Sequence, residues 1–97
     1  VLLVPLLIHA EGRIHCPHSV EGSCTVDADS GFCYHNKKTG EFNCDESGFC
    51  ASNLKPSNVA GCLSEGNATA RNHCCCNTKN GCTYDFYHNE SAESYYS

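Results

Sequence analysis

After an unbroken apolar run at its start, the chain mixes short hydrophobic and polar stretches and nowhere sustains a 3.6-residue apolar period. Helix content should therefore be low and strands short. The clearest strand pair is Phe32 to Cys44 (FCYHNKKTGEFNC), where Phe32, Tyr34 and Phe42 lie on β-favouring stretches either side of a polar turn ending at Gly40. Leu63 to His73 carries a Gly66-Asn67 turn signal between polar flanks and reads as a longer loop. Ala51 to Gly61 is broken by Pro56 and rich in Asn and Ser, which predicts a loop with at most one short turn.

The apolar run itself, VLLVPLLIHA, ends at a small residue and has the character of the hydrophobic part of a secretory signal peptide. Cleavage is expected after Ala10, with residues 1–10 the remaining part of the signal. It is much shorter than the roughly 20 residues of a membrane-spanning helix. The expected organisation is then a cysteine-rich domain over residues 11–86 and a flexible tail or stalk over 87–97. The whole stretch from Thr83 onward, TYDFYHNESAESYYS, has no cysteine and reads as an extension more than as part of the core.

Composition explains how so small a domain could hold together. A chain of 97 residues with 10 cysteines, no Met and no Trp has little apolar core to bury, and an even, dense set of cysteines reads as a disulfide framework. Disulfides persist in oxidising compartments, so the expected location is secreted or on the extracellular face of the plasma membrane. Two Asn-x-Ser/Thr sequons, at Asn67 and Asn89, fit that location and are candidate glycosylation sites.

The formal charge is −5, and the tail from Thr83 contributes three acidic and no basic side chains. Nucleic acids and anionic membrane surfaces attract clustered Lys and Arg, so neither is expected as a partner. Membrane association is expected only through an anchor downstream of these residues.

Three adjacent cysteines, Cys74-Cys75-Cys76, followed by Cys82, raise the question of chemistry. A structural zinc site presents paired ligands as C-x₂₋₄-C and needs thiolates; the chain has no C-x₂-C pair, and export would oxidise the sulfurs. No nucleophile elbow, zincin helix or Ser/His/Asp set is recognisable. His18, His35 and His88 are each expected to be surface polar residues. No enzyme activity, metal or cofactor is expected. On an extended segment Cys74 and Cys76 point one way and Cys75 the other, so the triplet can tie one strand to two or three neighbours.

Phe32-Cys33-Tyr34, the Cys44 to Cys50 step, the triplet with Cys82 and the trailing Tyr84-Asp85-Phe86 together resemble the three-finger fold of snake toxins, lymphocyte-antigen-like proteins and TGF-β-superfamily receptor ectodomains. The order of six separated, three adjacent and one last cysteine is most similar to activin and BMP type II receptor ectodomains. Short nematode exported proteins of the ET-module type look similar too. The resemblance implies a small all-β disulfide-rich domain whose short antiparallel hairpins leave a cystine core. It also implies the pairs Cys16 with Cys33, Cys24 with Cys44, Cys50 with Cys75, Cys62 with Cys74, and Cys76 with Cys82. Thr83 stands where the family has Asn after the last cysteine, and the ligand-gripping patch of type II receptors includes a Trp, which is absent here.

The function expected from this likeness is a non-catalytic extracellular protein-binding module, with an extracellular protein ligand or receptor as partner. A free-standing secreted modulator, toxin-like, of a receptor or channel is the alternative. A structural extracellular domain without a dedicated partner is a third possibility. Candidate contact residues are Lys37 and Lys38 at the hairpin turn and Tyr34 or Phe42 on its strands. For Phe32 and Phe42, packing against cystine is the competing role.

Overall fold

The computed structural model describes residues 12–54 and 59–88, with side chains described as far as Phe86. Three antiparallel hairpins follow one another along the chain. The first joins β1 (Arg13–His18) to β2 (Gly22–Asp27), the second β3 (Cys33–Asn36) to β4 (Phe42–Cys44), and the third β5 (Ala60–Leu63) to β6 (His73–Cys76). The first hairpin is a separate two-stranded sheet; the other two merge into a four-stranded sheet of order β4-β3-β6-β5. Two short helices, α1 (Phe49–Asn53) and α2 (Thr83–His88), complete the described elements. The expected small all-β disulfide-rich architecture is the one observed. No helix among the described residues is long and apolar enough to cross a membrane.

Local chemistry sets the first two hairpin turns. In the first, His18 Nδ1 accepts the backbone N–H of Val20 and of Glu21, and Gly22 takes the left-handed conformation (φ 88°) that favours glycine. In the second, Asn36 Oδ1 accepts from the N–H groups of Lys38 and Thr39, an Asx-type turn that reverses the chain within the polar stretch. Along β1 the alternation is clean at its start: Arg13 and His15 are exposed while Ile14 and Cys16 are buried.

β6 is the hub. Cys74 is bonded to Cys62 on the neighbouring strand, Cys75 to Cys50 on α1, and Cys76 to Cys82 in the loop beyond. Cys74 and Cys76 lie in one buried cluster, with Cys16, Cys33, Cys44, Ile14 and Phe86, while Cys75 lies in a second with Phe32 and Cys50. This is the two-faced arrangement expected of consecutive residues on a strand. The remaining bridges, Cys16–Cys33 and Cys24–Cys44, fasten the first hairpin to the second. Main-chain contacts add to them: Ser19 N–H donates to the Phe42 carbonyl at 2.9 Å, and Phe42 N–H to Ser19 Oγ at 2.8 Å.

Buried Asn77, directly after the triplet, closes the opposite side. Its Oδ1 accepts the Val59 N–H at 2.8 Å, and its Nδ2 donates to the Gly31 carbonyl at 3.2 Å. One polar side chain thus joins three segments that are far apart in sequence.

Three expectations need correction. Ala51–Asn53 belong to a helix and Ala60–Gly61 to a strand, so the stretch from Ala51 to Gly61 is a loop only in part. Asp45 Oδ2, six residues upstream, accepts the Ala51 N–H, and the Cys50–Cys75 bridge clamps the helix to β6 across 25 residues; helix propensity registers neither. The stretch after Cys82 is also not a mere extension: Thr83 and Phe86, one helical turn apart, are buried, and Phe86 packs in the first cystine cluster. Residues 89–97, like 1–11, lie outside the described residues. Finally, His35 is not a surface residue. It is 2% exposed, stacked on Phe42 with ring centroids 4.2 Å apart, its Nδ1 within 2.8 Å of the Glu41 carbonyl.

Candidate binding cleft

Strand alternation sends Tyr34 to the opposite face of β3 from Cys33 and His35. On that face it meets His73, which opens β6, and the Tyr34 hydroxyl is hydrogen-bonded to His73 Nδ1. The far nitrogen of the same ring, Nε2, lies 3.2 Å from Glu65 Oε1 on the β5–β6 loop. Phe49, at the start of α1, brings its ring to 5.0 Å from that of His73. These three part-buried rings form the floor of an open cleft of about 390 Å³.

The walls are acidic. Glu41 and Asp45 come from either side of β4, Glu46 follows, and Glu65 stands opposite; no Lys or Arg is among the lining residues described. Asn43 Nδ2 donates to Glu41 Oε2 at 3.1 Å, which steadies that carboxylate. Asp45 Oδ1 is buried without a hydrogen-bond partner. Tyr34 has its phenol held above its ordinary pKa of 10.0, chiefly by burial; the hydrogen bond from Asn36 opposes this, and the carboxylates of Glu41, Glu65 and Asp45 add smaller contributions in the raising direction.

The residues singled out in the sequence do not form one surface. Tyr34 lies in the cleft, but Phe42 pairs with His35 on the other face of the hairpin, where its ring meets His35 and, at 5.4 Å, Tyr84. Lys38 is exposed at the turn; Lys37 is part-buried, and its N–H donates to the Asn72 carbonyl. Neither lysine lines the cleft. Asn67 is exposed on the β5–β6 loop, and Asn89 lies outside the described residues. Phe32 is fully buried against the Cys50–Cys75 bridge.

The cleft residues that sequence reasoning missed are Glu41, Asp45, Glu46, Phe49, Glu65 and His73. The acidic Asp45-Glu46 pair beside Cys44 was the one local signal, and it does not say what stands opposite. The sulfurs of Cys16, Cys24 and Cys44 lie within 4.8 Å of one another, but all three are in disulfides and offer no thiolate.

The comparisons with known proteins place the chain. Residues 9–95 match the family model described as MTD-1 N-terminal domain. Over 88 residues the chain is 38% identical to the protein mtd-1 of Caenorhabditis elegans, covering 89% of this chain and 31% of that relative. The chain thus corresponds to about a third of the relative's length. No solved structure matches it. The extent of the family match, across all the hairpins and the whole cystine core, means that this chain belongs to the MTD-1 N-terminal domain family.

Proposed function

We propose that the chain is a non-catalytic extracellular protein-binding module of the three-finger kind, similar in design to activin and BMP type II receptor ectodomains. The observation that carries this reading is an open aromatic and acidic cleft on a face whose backbone is locked by disulfides on both of its sides. Cys44 on β4 and Cys75 on β6 are each bridged to another element, so the cleft walls lose little conformational freedom when a partner docks. Such pre-organisation lowers the ordering cost of association. Three consecutive hairpins fastened through cystine support the three-finger comparison. The disulfide framework supports an oxidising location, where exposed Asn67 would be open to glycosylation.

The test is surface plasmon resonance with the full chain, produced through a secretory pathway, against a panel of TGF-β-superfamily growth factors. Saturable binding of at least one growth factor is the expected result. Binding to receptor or channel ectodomains in place of growth factors would overturn the receptor likeness and favour a free-standing modulator. Binding to neither class would reduce the chain to a structural domain.

A further inference from the structure

The cleft has a chemical preference that can be read from its walls. We infer that it receives a single Lys or Arg side chain from a partner protein, with the cation held over the rings of Tyr34 and Phe49 and inside the fence of Glu41, Asp45, Glu46 and Glu65. This deepens the binding-module reading above and rests on it for the identity of the partner as a protein.

Three features select this occupant. The first is size: about 390 Å³ lies at the lower end of the roughly 300–1,000 Å³ typical of small-ligand sites, and suits one long side chain better than a folded element. The second is charge. Four carboxylates line the cleft with no described Lys or Arg among them, and a cation close to an aromatic face is attracted by the ring quadrupole as well. The alkyl stem of Lys or Arg would lie along the rings while its charged head reaches the rim.

The third is the spacing of the carboxylates. A metal ion needs ligand atoms that converge on one point. Among the described residues the only three His, Cys, Asp or Glu groups with ligand atoms so close together are the disulfide-bonded Cys16, Cys24 and Cys44. No three acids of the cleft therefore bring their oxygens together as a metal ion needs, whereas an organic cation can meet separate carboxylates with its several N–H donors. Asp45, among the lining residues, has its Oδ2 held by the Ala51 N–H while its buried Oδ1 has no hydrogen-bond partner, so its carboxylate keeps unused acceptor capacity. Tyr34 contributes an apolar ring and a neutral hydroxyl, the latter already engaged with His73.

The experiment is a titration of the isotopically labelled chain, followed by ¹H–¹⁵N NMR, with the peptides Gly-Gly-Lys-Gly-Gly and Gly-Gly-Arg-Gly-Gly and a norleucine peptide as neutral control. The basic peptides should shift the signals of Tyr34, Asp45, Phe49 and His73 saturably, and norleucine should not. The double variant Glu41→Gln with Glu46→Gln alters two exposed side chains and should weaken the basic peptides about tenfold, which corresponds to about 1.4 kcal/mol. Equal shifts with norleucine, or shifts scattered over the acidic surface, would overturn the inference. So would calcium ions that alone saturate the same signals and displace the lysine peptide. Unchanged binding of an extracellular protein partner by the double variant would refute this inference and leave the module reading standing. Saturable lysine-peptide binding in a chain that binds no extracellular protein would refute the module reading instead.

Discussion

Tyr34 and His73 are joined across the seam between β3 and β6, hydroxyl to Nδ1, although 39 residues separate them in the chain. The contact links the second hairpin to the third on the side of the sheet that carries the cleft. His73 passes the constraint on to the β5–β6 loop through Glu65. Replacing Tyr34 by Phe removes the hydroxyl and keeps the ring, so the expected loss is about 1 kcal/mol in denaturant unfolding. The same variant gives a second readout. Because burial holds the Tyr34 phenol above 10.0, the wild type should show a late phase, above that pH, in an ultraviolet absorbance titration, and Tyr34→Phe should abolish it. A late phase that persists in the variant would reassign it to another tyrosine.

His35 makes stability depend on pH. Burial is the largest cause lowering its pKa below 6.5, with Lys37 acting in the same direction and the hydrogen bond to the Glu41 carbonyl opposing. The folded state therefore prefers the neutral ring. As pH falls through 6.5, the unfolded chain takes up the proton first, so this contribution is fully present above 6.5 and is lost towards the lower folded pKa. His35→Gln should flatten the fall in unfolding free energy over that interval; a slope identical to wild type would show that carboxylates alone produce it.

The bridges should differ in worth by the loops they close. Cys50–Cys75 spans 25 residues and Cys76–Cys82 spans 6, which in the chain-entropy account correspond to about 3.5 and about 2.2 kcal/mol. Replacing Cys50 and Cys75 together by Ser should therefore cost about 1 kcal/mol more than replacing Cys76 and Cys82. The packing of buried Phe32 against Cys50–Cys75 widens the gap further. Equal losses in urea unfolding, with the other four bridges intact, would mean that loop closure is not what the hub supplies.

Gly31 sits where the chain passes from the first hairpin to the second. A Cβ there would lie 2.6 Å from Val26 Cβ and 3.1 Å from the Asp27 backbone nitrogen, neither of which is the free end of a flexible side chain. Gly31→Ala should cost about 1–3 kcal/mol through overpacking. A variant with wild-type stability would indicate that the loop shifts freely. Its carbonyl also accepts from Asn77 Nδ2, so a displaced Gly31 should loosen that clasp and expose the Asn77 side-chain amide to faster hydrogen exchange.

The sequence by itself determined the class of the protein and much of its local geometry. Cysteine density set the kind of core, the alternation of strand side chains set which way Cys74, Cys75 and Cys76 face, and Asn36 through Gly40 set the second turn. These are properties of neighbours in the chain, with periods of two to five residues, and they are legible because the physics behind them is local. What the tertiary structure decided is everything that depends on partners far along the chain. His35 is buried where its ring stacks on Phe42, and Phe86 is buried because the last helix carries it into the cystine cluster beside Ile14 and Cys16. Ala51 is helical where the Cys50–Cys75 bridge, across 25 residues, holds its segment against β6. The cleft is assembled from β3, β4, α1, the β5–β6 loop and the start of β6, and no stretch of sequence contains more than part of it. Its acids and rings carry no periodic mark of their common destination, since the disulfides that bring them together act on the backbone and leave the choice of facing side chains to the packing of the whole.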